Sequence, residues 1–69
     1  MPLPIAPQDT ELTVKKILAE EKTKKHFEDI GIFVGTKLTL LSSSGGSVIV
    51  RVRESKLALD RSLAMKILV

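Results

Sequence analysis

His26 is the single histidine of the chain, and Asp29 follows it by three residues. On a helix these two side chains share a face and could offer two metal ligands. An open ferrous site of the two-His-one-carboxylate kind needs a third ligand, and the chain has neither a second His nor a Cys. Lys22 and Lys25 would also repel a cation there. His26 therefore reads as an exposed helix histidine, and neither metal ligands nor a cofactor are expected. Ser42, Ser43 and Ser44 have no base within sequence range to activate them, and Gly45-Gly46 lacks the lysine and following helix of a phosphate loop. Arg51, Arg53 and Arg61 raise the idea of an arginine finger acting on a partner GTPase. The alternation of Arg51 and Arg53 is better explained as the wet face of a hairpin. No catalytic residue emerges, and the chain is not expected to be an enzyme.

Two surface features are left for binding. Lys15, Lys16, Lys22, Lys24 and Lys25 form a basic cluster, offset locally by Glu20 and Glu21. It serves either as a solvated face or as an electrostatic patch for an acidic protein surface or lipid headgroups. Nucleic acid is not expected, because no recognition helix or Asn/Gln-rich face is available to read bases. The second feature is Ile32-Phe33-Val34, three apolar residues between two glycines, more than a surface loop needs. Either they plug one end of the fold or Phe33 stands exposed as an interface anchor.

Composition limits the scaffold that must hold these residues. With 69 residues the chain makes one domain, and without cysteine it depends on a hydrophobic core alone. There is no Trp and no Tyr, and the two Phe cannot build an aromatic platform for polyproline or single-stranded nucleic acid. The net charge of +3 permits an anionic partner without requiring one. No apolar run is long enough to cross a membrane, and the first seven residues lack the features of a signal peptide. A cytoplasmic protein without membrane insertion is expected.

All three prolines lie in Met1–Pro7, so residues 1–10 read as a proline-containing arm, extended and able to bury Leu3 and Ile5. Leu12 and Val14 alternate, then Ile17 falls out of phase, which implies a strand bent or bulged at Lys15-Lys16. A helix is expected over Glu20–Ile30. Its apolar stripe is Phe27 and Ile30 with Leu18 and Ala19, it gains support from Glu20–Lys24 and Glu21–Lys25 pairs, and Gly31 ends it. From there the period is two. Thr36–Ser42 and Ser47–Arg53 make a hairpin around a Ser42–Gly46 turn, with Leu38, Leu40, Val48, Val50 and Val52 on the inner face. Glu54-Ser55 turns into Lys56–Leu59, with Leu57 and Leu59 inward. Asp60 caps a short turn through Leu63 and Ala64, and Met65, Ile67 and Val69 close the chain as a last strand. This is a mainly β fold, a small barrel of about five short antiparallel strands with one helix between the first and second.

Ile30-Gly-Ile-Phe-Val-Gly-Thr-Lys-Leu38 resembles the "Leu-Gly-Leu, two residues, Gly-Thr, basic or polar, apolar" stretch of the FeoA family. Lys22–Asp29 occupies the place of that family's basic helix, and Lys56–Val69 is similar to its closing segment. With Val14-x-x-Ile17 included, the likeness runs from about Leu12 to the end. The resemblance implies an SH3-like domain over residues 1–69, from the small cytoplasmic component of bacterial ferrous iron transport. It implies a role in iron homeostasis through protein–protein interaction, and at family level an association with transition metal ions. The implied partner is the large membrane component, a FeoB-type iron permease with a cytoplasmic GTPase domain. The alternative is a regulatory domain of iron-dependent transcription control, since a similar barrel ends the repressors of the DtxR type. Under the first reading, Lys24, Lys25 and Phe33 are the expected partner-binding residues: a basic rim beside an apolar anchor.

Overall fold

The slip in alternation near Lys15-Lys16 marks the place where the chain passes from one sheet into another. In the computed structural model, which describes residues 1–69, Glu11–Thr13 (β1) and Lys16–Ile17 (β2) are separate strands on either side of that bend. β1 pairs antiparallel with Lys37–Ser44 (β3), which continues to Ser47–Val52 (β4) and then Ser55–Asp60 (β5), giving the order β1-β3-β4-β5. β2 instead pairs antiparallel with Ile67–Leu68 (β6) as a second, two-stranded sheet. Lys15 N–H extends that ladder to the Leu68 carbonyl at 2.7 Å, and Leu18 N–H extends it to Lys66 at 2.7 Å. The fold is mainly β and antiparallel, as expected. It has six strands instead of about five, because the bend divides the first, and hydrogen bonding does not close the two sheets into a barrel.

Between β2 and β3 stands the helix Glu21–Asp29 (α1), with Glu20 and Ile30 as its flanking caps. Its apolar face is narrower than expected: Phe27 is fully buried, Ala19 and Ile30 are half-buried, and Leu18 is exposed. The Glu20–Lys24 and Glu21–Lys25 pairs do not form. The only ion pair within 4.0 Å is Lys37–Glu11 across the β1–β3 ladder, and both its side chains are well exposed. Exposed partners gain too little to hold long side chains in one geometry.

The core contains Val14, Leu38, Leu40, Val48, Val50, Val52, Leu59 and Ile67, positions that alternation assigns to the inner face, together with the out-of-phase Ile17. Leu3, Ala6, Phe27, Ile32, Ala64 and Val69 complete it. The proline-rich start is not purely extended. Leu3–Ile5 forms a single 3-10 turn, with proline in its first positions where a missing N–H costs nothing. Leu3 points into the core, packing the turn onto β3, but Ile5 on the opposite side is 61% exposed. Met1 and Val69 are joined by backbone hydrogen bonds in both directions, at 2.8 and 2.9 Å.

Three turns differ from expectation. Ser42–Ser44 remain in β3, because a register shift between Leu40 and Ser42 adds a bulge that prolongs pairing up to a Gly45-Gly46 turn. Arg53 is not on the wet face of β4; with Glu54 it makes the β4–β5 turn, at φ 59°. Asp60 precedes the short helix Arg61–Ala64 (α2) without a side-chain cap hydrogen bond, and Met65 beyond it is exposed. Arg61 spends its guanidinium on Ser43 Oγ, at 3.2 Å.

Two stability measurements follow from this packing. Ile67 is fully buried on a two-residue strand. Ile67→Ala should cost about 2–4 kcal/mol, a large part of the roughly 3–10 kcal/mol available to a domain of this size. Thermal melting checks it; a shift of only a degree or two would show β6 to be dispensable. Arg53→Gly should instead raise the urea midpoint, by up to about 1 kcal/mol of stability, because a left-handed residue with a Cβ costs about 1–2 kcal/mol.

Candidate docking groove

The end of α1 sets the geometry of the surface beside it. Ile32 N–H donates to the Phe27 carbonyl at 2.8 Å and Gly31 N–H to the Glu28 carbonyl at 3.0 Å, with Gly31 at φ 90°. This is the paired 6→1 and 5→2 bonding of a Schellman motif, which needs a left-handed residue after the helix and sets an apolar contact between its two ends. Here those ends are Phe27 and Ile32, and neither exposes any surface.

A tight turn follows immediately. Thr36 N–H donates to the Phe33 carbonyl at 3.0 Å, and Phe33 N–H returns a bond to Thr36 Oγ1 at 2.9 Å. Gly35, third in the turn, has φ 95°, the positive value that a type II turn requires there. Gly35 N–H and Thr36 O bond to Val14 O and Val14 N–H, at 2.8 and 2.9 Å, so the turn is tied to the β1–β2 bend. The two open readings of Ile32-Phe33-Val34 are thus divided among its residues. Ile32 is the plug, while Phe33 and Val34 are 48% and 64% exposed on a loop held at both ends.

Phe33 and Val34 line a groove of about 420 Å³ with Ile32, Ile17 from β2, Lys16 beside it, and Lys24 and Glu28 from α1. Lys24 is half-buried, as suits a side chain that lays its methylenes on apolar surface and keeps its ammonium in water. Of the three residues expected to bind a partner, Lys24 and Phe33 share this groove. Lys25 is exposed on α1 outside the lining. Lys16 belongs to the basic cluster read from the sequence, whereas Ile17 and Glu28 were not among the expected binding residues. The out-of-phase Ile17 was the available signal, since the same bend that breaks alternation brings β2 beside α1. A second, more polar hollow of about 270 Å³ gathers Arg51, Arg53, Lys37 and Glu11 on the four-stranded sheet.

His26 is exposed, its ring 6.1 Å from that of Phe27, and no three His, Cys, Asp or Glu residues come together anywhere in the chain. No polar or charged residue is buried. Binding at the surface is the chemistry that this arrangement offers.

Comparison with known proteins decides the family. The FeoA domain model matches residues 1–69. The chain belongs to the FeoA family. It is 38% identical over 68 residues to a Methanocaldococcus jannaschii protein named "Putative Fe(2+) transport protein A", a match covering 99% of this chain and 83% of that protein. Among solved structures it is similar to an iron uptake regulatory protein, FeoA, with a TM-score of 0.87 at 20% identity over 97% of this chain and 91% of that one. It is also similar to the FeoA of Stenotrophomonas maltophilia, described as a prokaryotic SH3 domain protein and complexed with zinc. There the TM-score is 0.80 at 20% identity, over 99% of this chain and 87% of that one. At such identities the two structures establish the shared SH3-like fold. No helix of this FeoA chain is long and apolar enough to cross a membrane.

The donor set of this FeoA domain leads to a direct measurement. Anaerobic titration calorimetry with ferrous ion should find no specific site tighter than about millimolar, since one imidazole and scattered carboxylates supply at most two ligands in any place. A stoichiometric micromolar site abolished by His26→Ala would overturn this.

Proposed function

We propose that this FeoA domain is a non-enzymatic cytoplasmic accessory protein that binds and regulates a FeoB-type membrane ferrous iron transporter, docking on its cytoplasmic portion. Iron is the transporter's cargo and is not held by this chain. The observation that carries the reading is the groove. Phe33 is a half-exposed ring on a turn fixed by four backbone and hydroxyl hydrogen bonds, in a groove that Val34, Lys16 and Lys24 also line. A rigid aromatic anchor with a charged rim is the usual anatomy of a protein-binding surface. A preset loop also avoids the ordering cost that a mobile one would incur on association. Membership in a family with an Fe(2+) transport protein A among its relatives supplies the biological setting.

Retention of the tagged chain by membranes containing the transporter is the first test. The contact itself is tested with the purified cytoplasmic portion of the transporter. Phe33→Ala should weaken binding by about 30-fold at any salt concentration, the effect of losing roughly 2 kcal/mol at an anchor. Its melting temperature should stay unchanged. Lys24→Glu should weaken binding by about tenfold at low salt and much less near 1 M, where screening shortens to about 3 Å. Adding Lys25→Glu should deepen the loss only modestly, because Lys25 lies outside the lining. Unchanged binding by the Lys24→Glu, Lys25→Glu double variant in low salt would reject this face and leave the hollow with Arg51 and Arg53 as the next candidate.

A further inference from the structure

β5 is the outer strand of the larger sheet, hydrogen-bonded to β4 alone. Its six residues make it longer than β1 at the other edge. The register with β4 fixes which of its backbone groups are spoken for. A two-residue turn, Arg53-Glu54, joins the strands, so the closing pair Val52–Ser55 exchanges hydrogen bonds. Antiparallel pairs alternate, so Val50–Leu57 and Val48–Leu59 exchange them as well. The N–H and C=O groups of Lys56, Ala58 and Asp60 consequently point away from β4. No bond outside the regular elements uses the N–H groups of these three residues. Their side chains are exposed on one face, while Leu57 and Leu59 turn toward the core.

The order Lys56-x-Ala58-x-Asp60 is self-complementary under a two-fold rotation. We infer that β5 pairs antiparallel with β5 of a second copy of this chain, centred on Ala58. In that register Ala58 faces Ala58 of the partner subunit, and Lys56 faces Asp60 of the partner subunit on both sides of the axis. The residues brought opposite one another are those whose backbone groups point outward, so the Ala58 pair can exchange two hydrogen bonds. In each flanking pair Asp60 N–H can donate to the Lys56 carbonyl, the Asp60 carbonyl being engaged as the N-cap of α2. Opposite charges meet across both flanking pairs, and the small side chain lies at the axis. A shift by two residues would leave both copies of Lys56 without an acidic partner, and a parallel alignment would set like charges together, so the same charges disfavour the alternatives. Pairing of one short strand buries less than the about 1,200 Å² of a stable interface, so the dimer is a weak and reversible one. The groove with Phe33 takes no part in it.

Sedimentation equilibrium of the full chain from about 0.02 to 2 mM, spanning the range expected for so small an interface, is the measurement. Concentration-dependent dimerisation should appear, with protection of the Ala58 and Asp60 amides from solvent exchange rising in parallel. Lys56→Asp should weaken association by about tenfold, because symmetry applies each lost pair twice, and adding Asp60→Lys should restore it. Ala58→Pro should abolish association, and its circular dichroism shows whether the hairpin is kept; if it is not, the charge-swap pair decides alone. Three outcomes would overturn the inference: a monomer throughout the range, a dimer whose protection maps to the Phe33 groove, or a Lys56→Asp chain that associates as well as the parent.

Discussion

The hydrogen bond from Ile32 N–H to the Phe27 carbonyl is the constraint on which the rest of this surface depends. It ends the only long helix, brings two fully buried side chains into contact, and sets the phase of the residues that follow. Once Ile32 points inward, Phe33 and Val34 must find other directions, and the Thr36 hydroxyl with Gly35 holds them outward. A residue other than glycine at position 31 would strain the helix end, and the strain would be felt at the groove. Core packing and surface chemistry are therefore one problem in this domain, solved in six consecutive residues.

Much of this was legible in the sequence because the relevant signals are local. Leu38, Leu40, Val48, Val50 and Val52 declare a two-residue period, and Gly31 marks the helix end. Ile32-Phe33-Val34 stands out between two glycines, with plug and exposed anchor both compatible with the sequence. What was not legible depends on long-range fit. Whether Glu11–Ile17 is one strand or two is settled by its partners, β3 on one side and β6 on the other, far along the chain. The bulge at Leu41 that draws three serines into β3 is likewise a matter of matching β4. Ile5 and Leu18 are apolar and solvent-facing, which no periodicity over such short segments could reveal. Lys16 stands in the basic cluster, but its meeting with Ile17 and Glu28 in one groove follows from the bend, which residue type and spacing do not show.

Every polar side chain of this FeoA domain remains at the surface, and no buried polar side-chain atom lacks a partner. The interior is thus held by apolar packing and the backbone ladders, with one surface ion pair adding little. Such a domain can change its surface charges with little effect on the fold. The groove and the sheet edge are free to be tuned separately, because they share no residue.

The reciprocal backbone bonds between Met1 and Val69 have a consequence for how the molecule comes into being. Met1 and Val69 lie side by side although they are 68 positions apart, and β2 cannot find its partner β6 until residue 68 exists. On the ribosome, the β3–β4–β5 meander can assemble early from neighbouring segments, while the two-stranded sheet waits for Ile67 and Leu68 to emerge. A nascent chain halted even five residues short of Val69 would hold the meander with an open flank, its apolar interior offered to whichever chaperone stands at the exit.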